Sequence, residues 1–386
     1  MKVIIIGSGI AGLSTAIGLR KVGIQATVYE RARELTEVGA GISLWANALR
    51  ALQTLGVGET VLSRSISLEN SEIRTDEGRQ RLISFPASIL EKQVGMTPIV
   101  AMIHRADLVE ALAEFVPTET VRYGFECVGI EQNDQRVVVR FSNGHADEAN
   151  AIIGADGIKS VVRTCLFGEQ PPRYSGYSCW RGISPLPANI PSGYIGEWWG
   201  RGKRFGITTL SRNRAYWFAV HNAPAGQHFA DGHSVVAELF RNWADPVPEI
   251  IAATPPERLI HNDIIDRVPT NTWSRGRVGL IGDAAHPTTP NLGQGGCMAI
   301  EDAVAVARAL ATSTDPEMAF LSFTKERFPR TAAITNESWR FGKIASMEGR
   351  LSCWLRDTMS GLVLPLIGTQ SLCKHSAFDI GPLPAP

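Results

Sequence analysis

The feature that most constrains this chain is a glycine-rich turn near its amino end, Gly7-Ser8-Gly9-Ile10-Ala11-Gly12. An apolar run precedes the turn, a helical pattern follows it, and a second strand-like run ends at Glu30. This order predicts a β-α-β unit in which Gly7 makes a tight turn, Gly9 lets the backbone approach a pyrophosphate, and Gly12 allows close packing of helix on strand. The helix amino terminus would face phosphate, and the Glu30 carboxylate would accept hydrogen bonds from a ribose diol. The sequence therefore predicts a dinucleotide-binding fold.

Charge and cysteine usage exclude several other classes of protein. The 386 residues include 38 basic and 38 acidic side chains, so the formal net charge is zero and a nucleic-acid partner is not expected. The six cysteines form no C-x-x-C pair, and the eight histidines show no H-x-x-x-H spacing. These patterns favour free thiols, a cytoplasmic location and no metal site.

The apolar stretches are too short for a helix that spans a membrane. The nearest candidate, Gly361–Gly368, is short and contains Pro365. The longer segment Leu351–Gly368 has few basic residues to hold a bilayer surface, which favours packing on its own domain or on a dimer partner over membrane contact. We therefore expect a monomer or homodimer that acts on a small molecule.

Two further glycine-rich segments follow strand-like runs far along the chain. The first contains Asp156-Gly157, and the second runs from Gly279-Leu280-Ile281-Gly282-Asp283 to Pro290-Asn291-Leu292-Gly293-Gln294-Gly295-Gly296. Read alone, Asp156-Gly157 is also compatible with an ordinary turn and Asp283 with a helix N-cap. The amides of the last glycine-rich run precede a helix and can face an anion.

Together with the amino-terminal turn, these segments resemble the group A flavoprotein monooxygenases, the family of para-hydroxybenzoate hydroxylase. The resemblance implies that FAD is the bound dinucleotide. It also implies that NADH or NADPH is a transient electron donor, which agrees with the lack of a second complete G-x-G-x-x-G unit in the sequence. In this family a hydroperoxyflavin transfers one oxygen atom to the substrate and releases the other as water, so the chemistry belongs to the cofactor.

The resemblance assigns FAD-binding roles to residues in several short segments. The first motif and the strand after it contribute Gly7, Gly9, Ala11, Gly12, Glu30 and Arg31. The middle of the chain contributes Gly41 in the Gly39–Ile42 loop beside the flavin ring, Arg105 against the phosphates, Asp156 and Gly157. The last segment contributes Gly282, Asp283, Pro290, Gly293, Gly295 and Gly296. For Arg105 the alternative interpretation is a solvent-exposed arginine at a helix start.

The implied fold is α/β, with a Rossmann-like FAD-binding domain, an interleaved sheet-rich substrate domain and C-terminal helices. Aromatic content rises between Tyr174 and Arg267, among strand-like runs. We predict an FAD-binding domain from 1–72, 97–173 and 268–340, a substrate domain from 73–96 and 174–267, and a helical segment over 341–386.

The substrate pocket is predicted from two neighbouring strand-like runs that carry Arg204 and Tyr216. Their spacing resembles that of FAD-dependent urate hydroxylases, in which an arginine would orient a carbonyl or anionic ring and a tyrosine would hydrogen-bond it. Pro290 and Asn291 complete the predicted catalytic set. Those urate enzymes carry an aspartate where this chain has Asn291, and an amide cannot serve as a carboxylate base. The sequence therefore favours hydroxylation of a small aromatic or heteroaromatic ring other than urate.

Three alternatives stay open at this point. The run from Pro290 to Asp302 also resembles zeaxanthin epoxidases, which would make the substrate a polyene or isoprenoid. A flavin reductase or dehydrogenase of the same fold, or a binding protein merely stabilised by FAD, would use the same nucleotide motifs.

Overall fold

The computed structural model describes residues 1–34 and 40–386. Side chains are described for all of these residues except 361–369. The strands are β1 (Lys2–Ile6), β2 (Gln25–Glu30), β3 (Gly41–Trp45), β4 (Ile66–Ser67), β5 (Asn70–Thr75), β6 (Arg81–Pro86), β7 (Val100–His104), β8 (Val121–Tyr123), β9 (Cys127–Gln132), β10 (Val137–Phe141), β11 (Ala146–Ala149), β12 (Ala151–Gly154), β13 (Arg173–Pro185), β14 (Tyr194–Trp199), β15 (Lys203–Leu210), β16 (Arg214–Asn222), β17 (Ile260–Asp266), β18 (Ser274–Arg275) and β19 (Val278–Leu280). The helices are α1 (Ile10–Lys21), α2 (Ala46–Leu55), α3 (Gly58–Ser63), α4 (Ala87–Val94), α5 (Arg105–Ala113), α6 (Val161–Phe167), α7 (Gly232–Phe240), α8 (Val247–Ala252), α9 (Gly295–Thr312), α10 (Pro316–Ala345) and α11 (Arg350–Ser376).

A six-stranded sheet in the order β18-β19-β12-β1-β2-β8 organises the first part of the fold. All its neighbours are parallel except the edge pair β18–β19. The central strand β1 is an almost uninterrupted apolar run because helices cover both faces of a parallel sheet, and its residues Val3, Ile4 and Ile5 are fully buried. The predicted β-α-β unit is confirmed as β1, α1 and β2.

A seven-stranded sheet in the order β17-β13-β16-β15-β14-β5-β6 forms the second part. Side chains alternate between its two faces, as they do in any strand. The outer face carries Trp180, Phe205 and Trp217, which pack with Val236 of α7 and Ile250 of α8 in one apolar cluster. The inner face is turned towards the six-stranded part. The predicted α/β class with a sheet-rich insertion and C-terminal helices is confirmed, while the exact residue boundaries of the domains stay a prediction.

The last helix, α11, packs against the strand β6 and helix α4 and leaves four large apolar side chains exposed, namely Leu351, Trp354, Leu355 and Met359. Within the described ranges, no helix combines the length and apolar character needed to cross a bilayer. Packing of a dimer partner on these four exposed side chains stays a prediction.

A fully buried cluster of charges joins α9 to α10. The Arg327 guanidinium contacts Glu301 at 2.5 Å and Asp302 at 2.8 Å, and all three side chains have no solvent exposure. Arg330 adds a second cation 2.8 Å from Glu301. Burial opposes ionisation of both acids, but the neighbouring cations hold the pKa of Glu301 and that of Asp302 below their usual range. Both acids are therefore charged and paired inside the core.

We expect Arg327→Met to lower the free energy of unfolding by about 3–5 kcal/mol, because two buried carboxylates lose a shared counter-ion. Urea denaturation monitored by circular dichroism measures the change. Lys325→Met on the exposed side of the same helix is the control, with an expected change within about 0.5 kcal/mol.

The same pairs give a pH dependence with a defined sign. Because the folded-state pKa values of Glu301 and Asp302 lie below the unfolded values of about 4, their contribution is complete above pH 4 and is lost as the pH falls towards the folded values. In Arg327→Met the acids lose part of this depression, so the deficit relative to wild type should shrink as the pH falls below 4. A deficit that is constant from pH 8 to pH 3 would contradict the assignment.

Candidate functional site

The three glycine-rich segments meet at the carboxyl edge of the six-stranded sheet. A Cβ added at Gly7 would lie 2.5 Å from the Ala155 carbonyl oxygen, just before Asp156. One added at Gly282 would lie 3.2 Å from the Cβ of Ala11. Because β19, β12 and β1 are adjacent and parallel, the segments that follow them must emerge side by side.

The start of α1 is built to receive an anion. A Cβ at Gly12 would lie 1.9 Å from the Gly7 carbonyl oxygen, so only glycine allows this helix to approach the turn. A Cβ at Gly9 would meet nothing within 4 Å, so the backbone there borders open space. The helix has neither a side-chain cap nor an acidic residue in its first turn. Its amides and the positive end of its dipole are therefore directed at that space.

Glu30 lies at the end of β2 and closes the turn from the other side. One carboxylate oxygen accepts hydrogen bonds from the Ser8 amide at 2.9 Å and the Ser8 hydroxyl at 3.1 Å, and the other accepts from the Ala32 amide at 2.9 Å. The oxygen that accepts only from Ala32 retains a further lone pair for a hydroxyl donor. The neighbouring Arg31 is exposed.

Asp283 and Arg105 approach each other across the same opening. Asp283 is exposed, yet the surrounding protein desolvates it enough to raise its pKa, against the effect of the His286 and Arg105 side chains. A side chain that is both accessible and enclosed lies in a cleft. Arg105 is exposed at the start of α5 and so contributes a cation to the rim of this cleft.

Asp156 and Gly157 have a geometry that is partly that of an ordinary turn. An Asp156 carboxylate oxygen accepts a 3.1 Å hydrogen bond from the Val162 amide at the start of α6, and burial raises the pKa of this carboxyl. Gly157 has a left-handed φ of 76° and no neighbour near its Cβ position. The segment thus shapes the edge of the cleft beside Gly7.

The glycine loop before α9 packs against strand β3. A Cβ at Gly296 would lie 2.5 Å from Ile42 Cδ1, and one at Gly293, where φ is 63°, would lie 3.1 Å from Trp45 Nε1. Gly295 begins α9, which has no side-chain cap, and Pro290 is exposed at the start of the preceding 3-10 turn. The amides at this helix start therefore resemble those of α1 in being available to an anion.

Strand β3 also contacts the substrate sheet. A Cβ at Gly41 would lie 2.6 Å from Cγ of Tyr216, so the backbone of β3 touches the tyrosine ring directly. Gly41 and Tyr216, which were predicted independently, are brought together. Gly39, the other glycine of this loop, lies outside the described residues.

Arg204 and Asn291, both predicted from sequence, are hydrogen-bonded to each other. The buried Arg204 guanidinium donates to Oδ1 of Asn291 at 2.7 Å and contacts Glu197 at 3.2 Å. Nδ2 of Asn291 lies 2.9 Å from each of three acceptors, the Tyr177 hydroxyl, the Thr289 hydroxyl and the Ser338 carbonyl oxygen. An amide fits this position because one side must accept from arginine while the other donates to a carbonyl oxygen.

Tyr216 points from β16 to the same inner face and interacts there with the Arg181 guanidinium. Burial raises the pKa of the Tyr216 hydroxyl, and the adjacent Arg181 opposes this shift. The hydroxyl is therefore protonated at neutral pH and available as a donor.

Sequence reasoning missed several residues that support the site. Arg181 and Glu197 share the inner face with Arg204, and their placement follows from strand register, which sequence alone does not supply. Asp302, the last residue of the Pro290–Asp302 motif, accepts hydrogen bonds from the Gly282 amide at 3.0 Å and from His286 at 2.5 Å. The signal in the sequence is a pair of acids within a largely apolar helix.

These residues fit FAD. Two uncapped helix starts and the cation of Arg105 suit a pyrophosphate and an anionic flavin edge, and Glu30 and Asp283 suit the hydroxyls of a ribose and a ribityl chain. By contrast, within residues 1–34 and 40–386 no group of three or more metal-ligating side chains is arranged to hold an ion.

Comparison with known proteins agrees with this geometry. The model of a family described as FAD binding domain matches residues 1–338. An aurachin C monooxygenase/isomerase from Stigmatella aurantiaca is 37% identical over 93% of each chain. A 2-heptyl-3-hydroxy-4(1H)-quinolone synthase from Pseudomonas aeruginosa is 34% identical over 94% of each chain, and an FAD-dependent urate hydroxylase from Klebsiella pneumoniae is 33% identical over 86% of each. The resemblance inferred from the motifs is confirmed.

The fold is shared with a solved structure of Klebsiella pneumoniae HpxO complexed with FAD and uric acid. The TM-score is 0.92 at 28% identity, and the match covers 99% of this chain and 98% of that one. The predicted cofactor, FAD, is thus supported by the family match and by a liganded neighbour.

We expect Glu30→Ala to weaken FAD retention, because the carboxylate both faces the predicted ribose position and holds the Ser8 amide. The FAD-to-protein absorbance ratio after gel filtration, and the Kd for FAD added back to the apoprotein, measure the effect; a rise in Kd of roughly 10-fold corresponds to one lost hydrogen bond to a charged group.

Two variants control for structural damage to the turn. Ser8→Ala removes only the 3.1 Å side-chain bond to Glu30 and should retain most FAD. Glu34→Ala removes an exposed carboxylate and should have no effect. Full FAD retention by Glu30→Ala would show that this residue has no part in binding.

Proposed function

The chain belongs to the FAD binding domain family, and from this premise we propose that it is an NAD(P)H-consuming, FAD-dependent monooxygenase that hydroxylates a planar aromatic or heteroaromatic ring. The observation that carries the proposal is the hydrogen bond between Arg204 and Asn291, which joins the substrate sheet to the glycine loop of the cofactor site. A buried, fixed guanidinium at this junction orients a polar ring beside the flavin.

In this proposal the residues of the chain bind the cofactor and orient the substrate. FAD, when bound, supplies the chemistry of electron acceptance from NAD(P)H and of oxygen activation. The α1 amino terminus and Arg105 would bind the phosphates, Glu30 the ribose and Asp283 the ribityl chain. The amides around Gly295 would stabilise negative charge at the flavin edge.

Arg204 and Tyr216 would position the substrate, with Asn291 and Pro290 at the junction. Arg204 is 3% exposed and held by two partners, so its orientation is fixed before substrate arrives. The adjacent Ile183, Ile195 and Phe218 present apolar surface beside these groups, which favours an uncharged planar ring and keeps water away from it.

The amide at Asn291 argues for a ring other than urate. A carboxylate there would place a negative oxygen against the Ser338 carbonyl oxygen, which now lies 2.9 Å from the amide nitrogen. The network therefore favours an amide, and an amide does not abstract a proton from the substrate. Relatives named for quinolone and aurachin chemistry, as well as for urate, fit a heteroaromatic substrate class.

We further propose a cytoplasmic location and a monomer or homodimer. All six cysteines are free, which fits a reducing compartment. The neutral net charge argues against a nucleic-acid partner.

Oxygen incorporation tests the proposed reaction. The holoenzyme is incubated with NADH or NADPH under labelled oxygen and a panel of aromatic and heteroaromatic compounds. A monooxygenase gives substrate-stimulated NAD(P)H oxidation and one labelled atom in the product. Substrate reduction without label would indicate a reductase or dehydrogenase instead, and no turnover would indicate a binding protein.

We expect Arg204→Ala to weaken substrate affinity by about 10- to 100-fold, as for loss of a charged hydrogen bond, and to divert reducing equivalents to peroxide. The ratio of product formed to NAD(P)H consumed measures this coupling. FAD content should be unchanged, because Arg204 lies on the substrate sheet.

Arg212→Ala, an exposed arginine in the turn that joins β15 to β16, is the matched control and should retain wild-type coupling. Unchanged affinity and coupling in Arg204→Ala, with FAD still bound, would show that the pocket is placed wrongly.

A further inference from the structure

We propose that Arg181 and Glu197 are the specificity-determining residues of the substrate site, and that the substrate is a heterocycle whose ring carbonyl binds Arg181 while its ring N–H binds Glu197. This inference rests on the proposed function. It assigns the orientation of the ring and narrows the substrate class to neutral, vinylogous-amide heterocycles of the 4-quinolone type.

Strand register places the two residues at opposite ends of one row on the inner face. Arg181 pairs with Phe218, Phe218 with Gly206, and Gly206 with Glu197. The Cα atoms of Arg181 and Glu197 are therefore separated by three strand spacings, about 14 Å. Two side chains that reach inward from these ends are far enough apart to flank one bicyclic ring stacked above the row.

The middle of this row is a flat aromatic surface. A Cβ at Gly206 would lie 2.2 Å from the Phe218 ring, so the ring lies directly over the glycine. Phe218 is half-buried, whereas Phe205 and Trp217 on the outer face are buried in the apolar cluster with α7 and α8. A planar heterocycle can stack on the part of this ring that stays accessible.

The charges on this face are not equivalent. The Arg204 charge is compensated by Glu197 at 3.2 Å, so Arg204 orients the ring through the carboxylate that it holds. Arg181 has no carboxylate within 4.0 Å in the described part of the chain, and the groups that act on it are Cys179 and Tyr216. An enclosed cation without an acidic partner favours an electron-rich acceptor on a ligand.

The donors around Arg181 specify an oxygen atom. A guanidinium only donates hydrogen bonds, and the protonated Tyr216 hydroxyl beside it has a proton to donate. Tyr216 also rests on Gly41, so this end of the row faces the flavin loop. A ring carbonyl, or the oxyanion to which it is converted when electron density moves towards oxygen, satisfies both donors.

The opposite end of the row specifies an N–H group. One Glu197 oxygen accepts from Arg204, and the second has no hydrogen-bond donor within the described ranges. The Glu197 side chain is 18% exposed, so the carboxylate is not sealed in the core. A ring N–H that donates to it shares charge with the carboxylate and makes the ring more electron-rich, which favours attack by an electrophilic oxygen.

Three probe compounds test the assignment on the FAD-bound enzyme. They are 2-heptyl-4(1H)-quinolone, its N-methyl derivative, which has no N–H, and 2-heptylquinoline, which has no carbonyl. Kd values come from the perturbation of the flavin absorption spectrum. Wild type should bind the quinolone about 10- to 100-fold more tightly than either analogue, the factor expected for a hydrogen bond to a charged group.

The variants should remove one preference each. Arg181→Met should abolish the preference for the carbonyl and keep that for N–H, whereas Glu197→Ala should do the reverse. Arg181→Lys should keep part of the carbonyl preference because it keeps the charge. Arg241→Met, an exposed arginine after α7, should leave all three Kd values unchanged.

Each outcome decides the proposal. Equal binding of the three probes by wild type, binding of none, or an undiminished carbonyl preference in Arg181→Met with normal FAD content would overturn it. An enzyme that inserts labelled oxygen into some other ring, without these preferences, would defeat this inference and leave the proposed function intact. An enzyme that inserts oxygen into no ring defeats the proposed function.

Discussion

The site depends on the buried charge cluster between α9 and α10. Asp302 holds Arg327 on one side and the Gly282 amide and His286 on the other, so the segment that bears Asp283 is fixed to the helix core. Glu301 accepts a 2.6 Å hydrogen bond from Asn47 of α2, whose amide also reaches Gln294 in the glycine loop. A pair of adjacent acids therefore positions both cofactor-facing loops. Burying such a cluster carries a free-energy penalty for removing the charges from water. Its directional hydrogen bonds give the loops one defined arrangement.

Helix α10 connects the charge cluster to the substrate side of the site. It supplies Arg327 to the charge cluster and, further along, the Ser338 carbonyl oxygen that holds Asn291. At Gly342 a Cβ would lie 2.3 Å from the Tyr177 hydroxyl and 2.4 Å from Nδ2 of Asn291, so the helix backbone touches the network directly. Arg204 receives its orientation from the same amide. The cofactor loops and the substrate sheet are thus both positioned by contacts with helix α10.

The sequence was sufficient where local chemistry decides the structure. The run Lys2–Ile6, the turn to Gly12 and Glu30 follow rules of strand burial, glycine geometry and helix-terminus electrostatics, and they fold as predicted. Arg204 and Asn291 were both selected, but their mutual hydrogen bond connects positions 87 residues apart and depends on how two domains pack. Arg181 and Glu197 were missed because strand alternation shows which residues share a face only after the register of three strand pairs is known. The role of Asp302 could not be predicted because its partners come from a different helix and a distant loop.

The two faces of the seven-stranded sheet separate what holds the fold from what meets the ligand. Trp180, Phe205 and Trp217 pack outward against α7 and α8, while Arg181, Glu197 and Phe218 project inward between them along the same strands. Changes at every second position can therefore alter which molecule is accepted with little disturbance of the hydrophobic packing behind it. A lineage built on this sheet can diversify its substrates by exchanging inward side chains one at a time, without first acquiring surplus stability.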